Sequence, residues 1–206
     1  MDKLVAYIRA QIPLPWTPWP GGRREVEAAL IDAVLSIQAS YGRAATPDRA
    51  ATGVHRSIER YAEANAAPLD DLERLAWATP DDLAKLLGNQ QKTGQRTKAS
   101  AIVEVAAKLV DLRIRRAADV DSADEKQARA WTSVHGLGPV TWKYFTMLLG
   151  APGVKADTWI IRFVSKAVER RVDAKTAERL VEAAAPHFDK SATELDHAIW
   201  AHARRK

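Results

Sequence analysis

Two short segments of this chain carry residue types suited to chemistry. The first is Val134-His135-Gly136-Leu137-Gly138-Pro139-Val140. Two glycines separated by one apolar residue let a backbone turn tightly, with Leu137 directed into a core. Pro139 suits the first position of a helix. The amides from Gly138 to Val140 then lie at that helix start, where unpaired N–H groups and the positive dipole end can hold a phosphate without any side chain. Such a contact is blind to base sequence. A plain turn between two helices is the competing reading of the same residues. The second segment is Asp157-Thr158. Asp before Thr at a helix start is a common cap, and the dipole there favours the ionised carboxylate.

The elements that must position these segments read as helices. Val26, Ala29, Leu30, Ala33, Val34 and Ile37 form one buried stripe, and Ala99, Ile102, Val103, Ala106, Leu109 and Val110 form another. A helix is expected from about Pro47 to Ala64, with Val54, Ile58 and Tyr61 inward. Thr79-Pro80-Asp81-Asp82 is a helix start with a cap, a first-position proline and acids facing the dipole, and Gly88 is a stop. Ser122 to Glu125 reads as a capping box opening a helix toward Trp131. Pro139 opens a helix to Leu149, ended by Gly150; another starts near Asp157, and Asp173 and Ser191 cap two more, the last with the box spacing to Glu194. Residues 11–22 hold four prolines and two tryptophans, an irregular strap expected to pack on its own domain. The sum is about eleven helices and no convincing strand, an all-α fold. Residues 1–24 are read as the strap and 25–206 as one domain of two lobes, about 25–130 and 131–206.

Bulk composition narrows the chemistry. The 206 residues are 47% apolar and 28% charged, with a formal net charge of +5. That balance suits a polyanionic partner without requiring one. The absence of cysteine removes disulfides, thiol catalysis, thiolate zinc sites and Cys-ligated iron–sulfur clusters. Neither a signal peptide nor an apolar run of about 20 residues is visible. A cytoplasmic protein with no membrane association is expected, nucleoid-associated if bacterial.

The two segments, taken with their spacing, resemble the helix-hairpin-helix glycosylase superfamily, which includes endonuclease III and the adenine and alkyl-base glycosylases. That family has a hairpin like Leu-Pro-Gly-Val-Gly, a helix, a Gly/Pro loop, then Val-Asp-Thr and an Arg shortly after. This chain has Val134-His135-Gly136-Leu137-Gly138, a helix, Gly150-Ala151-Pro152-Gly153, and Ala156-Asp157-Thr158 followed by Arg162, with 19 residues from Gly138 to Asp157. Leu35-Ser36-Ile37-Gln38-Ala39-Ser40 is similar to the family's Leu-Ser-x-Gln-x-Ser/Thr helix end, and Lys98-Ala99-Ser100-Ala101-Ile102 to its Lys-Ala-x-x-Ile helix start. The resemblance covers roughly residues 25–200.

It implies two helical lobes flanking a DNA-binding cleft, and an enzyme that extrudes a nucleotide from a lesion-bearing duplex. Gln38 would fill the gap. Asp157 would stabilise positive charge on the sugar as the N-glycosidic bond breaks. His135, Gly136, Leu137, Gly138, Val140 and Lys143 would meet DNA. Tyr41, Trp142 and Trp159, with Tyr144 near them, would stack on the base, although an aromatic on a helical face is more often core. Main-chain carbonyls of Thr132, Val134 and Leu137 would hold a monovalent cation, and no other cofactor is implied. Arg162 is expected to pair structurally. Bifunctional members carry a nucleophilic lysine where this chain has Val140, so a monofunctional, monomeric DNA glycosylase of base excision repair is expected. Lys143, one turn on, reads first as a phosphate contact, and the tail Arg204-Arg205-Lys206 as solvated charge. The alternative is a non-catalytic binder of damaged or bent DNA on the same fold.

Overall fold

Helix caps decide most of the element boundaries in the computed structural model, which describes residues 1–16, 18–19, 22–65 and 67–204. The strap residues Thr17, Pro20 and Gly21 and the tail residues Arg205 and Lys206 lie outside the described residues. Thr79, Asp157, Asp173 and Ser191 each accept a hydrogen bond from a first-turn amide of their helix. Ser122 does not. Asp121 accepts from the Ala123 amide at 2.8 Å and turns the chain first, so Asp124 is the cap, accepting from Lys126 and Gln127.

Two compact units result, one of residues 22–150 and one of residues 1–21 with 151–206. The sequence suggests a lobe boundary near residue 130. The units part instead at Gly150, because the helices on either side of the glycine turn pack with the larger unit.

In that larger unit, α2 (Val26–Leu35) is buried along its whole length. Around it stand α3 (Val54–Ala64), α4 (Leu72–Ala76), α5 (Pro80–Leu87), α6 (Lys98–Asp111), α7 (Glu125–Thr132) and α8 (Pro139–Leu148). Helices α3, α4, α6 and α8 pack on α2, and α7 packs on α6 and α8. A helix buried all round can carry acids only if each is paired. Glu27 receives the Tyr61 hydroxyl at 2.6 Å, the Asp71 amide at 3.0 Å and Arg74 at 2.9 Å. Asp32 receives Arg23 at 2.7 Å and Tyr41 at 2.6 Å.

The helix expected from Pro47 begins only at Val54. Thr46 and Arg49 exchange backbone hydrogen bonds in a tight turn. Gly53 then sits at φ 60°, where a Cβ would lie 2.6 Å from the Tyr41 carbonyl oxygen. The expectation of no strand also needs correction. Lys92–Thr93 (β1) pairs antiparallel with Arg96–Thr97 (β2). The connecting Gly94 and Gln95 have φ of 53° and 68°, the left-handed pair that matches strand twist in a two-residue hairpin.

The smaller unit holds α1 (Asp2–Gln11), α9 (Thr158–Ala167), α10 (Ala174–Ala184) and α11 (Ala192–Ala203). Residues 2–11, within the stretch read as a strap, form a helix whose Leu4, Val5 and Ile8 enter this unit's core. The strap tryptophans pack on the same unit: Trp16 lies 5.1 Å from Phe188 and Trp19 5.3 Å from His197, between ring centroids. With only a two-stranded hairpin beside eleven α-helices among the described residues, the fold is all-α. No helix among them is long and apolar enough to cross a membrane.

Candidate nucleic-acid interface and carboxylate site

The turn between α7 and α8 is held from three sides. Leu137 is buried and its amide donates to the Val134 carbonyl at 3.0 Å. Gly136, at φ 91°, comes so close to β1 that a Cβ would stand 2.8 Å from Thr93. The Thr93 hydroxyl donates to the Gly136 carbonyl at 2.8 Å. Thr141 closes the other side: its Oγ1 accepts from the Gly138 amide at 3.0 Å and from the Trp131 indole at 2.8 Å. Nothing local in the sequence marks either threonine as a brace.

The two glycines differ in what they demand. Gly138 has φ −143° and ψ −179°, extended backbone open to any residue. A Cβ there would meet nothing within 4 Å. The protein itself does not require glycine at 138, and the backbone is uncovered just where the next helix begins. Pro139 has no N–H, and the Val140 amide takes no partner among the described residues. Gly136→Ala is therefore expected to cost about 1–3 kcal/mol through strain and collision, seen as a lower urea midpoint. Gly138→Ala should leave that midpoint in place.

Gln38 is exposed, at φ 45°, just past the end of α2. What pins that end is Lys98, only 1% exposed. Its Nζ donates to the Leu35 carbonyl at 3.0 Å, the Ile37 carbonyl at 2.6 Å and Gln91 Oε1 at 2.7 Å. Burial pushes the Lys98 amine down to about 8. Lys98 directly follows β2, and β1 carries the Thr93 brace, so Gln38 and the glycine turn share one support. His135, exposed, also packs its ring against Gly94.

The aromatics divide. Trp142 is 7% exposed in a cluster with Trp131 and Phe145, at centroid distances of 5.8 and 5.7 Å. This corrects its assignment to a base pocket, because a ring closed in by two others has no face for a ligand. Tyr144 is buried as well, and its pKa is pushed well up by burial and the nearby Asp32 charge. Tyr41 is half-buried with its hydroxyl committed to Asp32. A recess of about 340 Å³ opens beside Ala39 and Ser40, with Thr52, Ser57, Arg60 and Gln91 in its wall. None of the predicted stacking aromatics lines it. Val140 and Lys143 are half-buried on the first turns of α8. The Val134 carbonyl, one of three expected around a cation, already accepts the Leu137 amide.

In the smaller unit, Asp157 caps α9 as its sequence predicts. Its Oδ1 accepts from the Trp159 amide at 2.8 Å and the Ile160 amide at 3.2 Å. Oδ2 takes no hydrogen bond from the described residues, so the carboxylate keeps one oxygen for other work. Trp159 is 42% exposed on the first turn of α9. Arg162, expected to pair, is exposed and makes neither an ion pair nor a hydrogen bond with the described residues.

These features define an all-α protein with a braced, glycine-containing interhelical turn in one unit and a half-engaged capping carboxylate in the other. The chain belongs to the family described as a domain of unknown function, DUF8548, whose model matches residues 2–204. Its fold is shared with a solved structure of MBOgg1 in complex with a low-affinity DNA ligand, at 14% identity and a TM-score of 0.59, covering 100% of this chain and 67% of that one. No curated protein matches the sequence.

Proposed function

We propose that this chain is a monofunctional DNA glycosylase, a cytoplasmic monomer that removes a damaged or mispaired base from double-stranded DNA in base excision repair. The observation that carries this reading is the turn at Gly138. Uncovered backbone, a Val140 amide with no partner among the described residues and a helix N-terminus coincide there, on a support that needs no ligand to hold it. A DNA phosphate is the ligand such a site accepts. The residue pattern of the helix-hairpin-helix glycosylases supports the same reading, as does a fold shared with a protein solved on DNA.

In this mechanism the target nucleotide leaves the stack and Gln38 enters the gap. The N-glycosidic bond breaks with its electron pair going to the base. The positive charge left on the sugar is stabilised by Asp157; water attacks the anomeric carbon, and the proton it releases passes through solvent to the departing base, leaving a sugar hydroxyl and the neutral base. Val140 has no nucleophile to offer, so no Schiff base forms. His135, Lys143 and Arg162 would add phosphate contacts. Carbonyls of Thr132, Val134 and Leu137 would hold a monovalent cation at the turn.

One observation favours the second reading, a non-catalytic binder of damaged or bent DNA. Trp142 and Tyr144 fill the interior, and Tyr41 is committed to Asp32, which leaves Trp159 as the exposed stacking aromatic of the four. A panel of duplexes with different lesions, treated with alkali to reveal abasic sites, separates the two. Strand cleavage at one lesion is expected, without borohydride-trapped adduct. Binding with no cleavage anywhere in the panel would establish the binder. Gly138→Asp tests the anchor: affinity is expected to fall about tenfold or more, with the wild-type loss of affinity as salt rises becoming shallower. Unchanged affinity and salt slope would remove the turn from the interface.

A further inference from the structure

The smaller unit holds a second carboxyl group for which the proposed reaction has no role. Asp196 lies on the inward face of α11, 6% exposed, with Leu195 and His197 buried on either side. Its Oδ1 finds no hydrogen-bond partner among the described residues. The backbone amide of Lys155 donates to the same carboxyl. Three residues earlier on α11, Thr193 Oγ1 accepts from the Gly153 amide and donates to the Gly153 carbonyl, each at 3.1 Å. The loop from Gly153 to Asp157 is thus tied to α11 at two points, and its last residue is the cap of α9.

We propose that Asp196 is the positioning residue for Asp157, a buried neutral carboxylic acid that holds the Gly153–Asp157 loop on α11 and leaves Asp157 the single negative charge of the pair. This rests on the reading of Asp157 as the charge-stabilising carboxylate. A buried carboxyl beside another carboxylate is costly to ionise, and an orphan oxygen adds to that cost. Burial is the largest influence and pushes Asp196 well above the usual carboxylate range; the Asp157 charge pushes the same way. The Lys155 ammonium and amide oppose them weakly. Of the charged groups around Asp196, Asp157 and Lys155 bear on it most. Were both carboxyls charged, repulsion would act on the loop that sets the Asp157 geometry.

A carboxyl whose folded pKa is raised contributes stability that is present below its unfolded value, near 3.9, and is lost as pH rises through the folded value. Asp196→Asn keeps the shape and stays neutral. Its melting temperature is expected to match the wild type near pH 4 and to exceed it by about 4 °C or more near pH 8. An equal difference at both pH values overturns the proposal.

Carbon-13 carboxyl titration of the full chain needs no variant. Asp196 is expected to remain protonated at neutral pH. The Trp159 and Ile160 amides, held by Asp157 Oδ1, should shift in step with its ionisation and lose that step in Asp196→Asn. Titration of Asp196 alongside ordinary carboxylates, near pH 4, overturns the positioning role. So does persistence of the amide step in the variant. These readouts do not depend on turnover. An Asp196 step on a protein inert to every lesion duplex would uphold the coupling and sink the glycosylase reading alone.

Discussion

Lys98→Met should lower the unfolding free energy by about 3 kcal/mol, read as a lower urea midpoint at constant m. Methionine retains the apolar stem, so packing is little disturbed. What is lost is the ammonium that serves the Leu35 and Ile37 carbonyls and Gln91 Oε1 together. Buried acceptors left without donors cost about 1–3 kcal/mol each, offset in part by release from the cost of burying a charge. The variant also frees the end of α2, so Gln38 should lose its fixed projection and duplex affinity should fall. The wild type and variant should diverge further in alkali. With Lys98 lowered to about 8 when folded and near 10.4 when unfolded, the unfolded chain binds more protons between those values. Wild-type stability therefore rises across that window and is flat below it. The three carbonyl-type acceptors hold the proton on and limit the rise to at most about 3 kcal/mol. A variant as stable as the wild type at pH 7 would show that Lys98 does not pin α2.

Asp157→Asn should reduce single-turnover base release at least about a hundredfold while leaving lesion-duplex affinity near its wild-type value. Removing one preorganised group from a developing charge typically has an effect of about that size. Asparagine is as good a cap as aspartate, so the Trp159 and Ile160 amides remain satisfied and thermal stability should change little. That separation makes the variant informative, because a loss of activity could not be blamed on unfolding. Activity equal to the wild type would remove Asp157 from the chemistry and leave it a cap.

The residues that act through their neighbours along the chain were legible from the start. Thr79, Asp157, Asp173 and Ser191 cap the helices they were expected to cap, because a cap bonds amides two or three residues away. The helix expected from Pro47 starts late, at Val54, because a periodic stripe gives no sign that Thr46 and Arg49 will close a turn on each other. The small hairpin leaves no mark in the sequence because four paired residues are too few to show a period. Trp142 gives no sign of its enclosure, because an aromatic at a helical position looks alike in sequence whether its ring meets a ligand or two other rings.

By itself, the sequence determined an all-α protein, most helix starts, the tight turn at Gly136 and Gly138, and a cap at Asp157. All of these rest on interactions within about one helical turn, which residue order specifies directly. Tertiary structure decided which polar groups the interior would bury and with whom. Lys98 meets the Leu35 and Ile37 carbonyls at the end of α2 across 63 and 61 positions of chain, and Thr93 reaches Gly136 across 43. Asp196 reads as one more helical acid until folding encloses it beside Asp157. The reason is physical: a local hydrogen bond depends on spacing, whereas the solvation of a buried charge depends on every element packed around it.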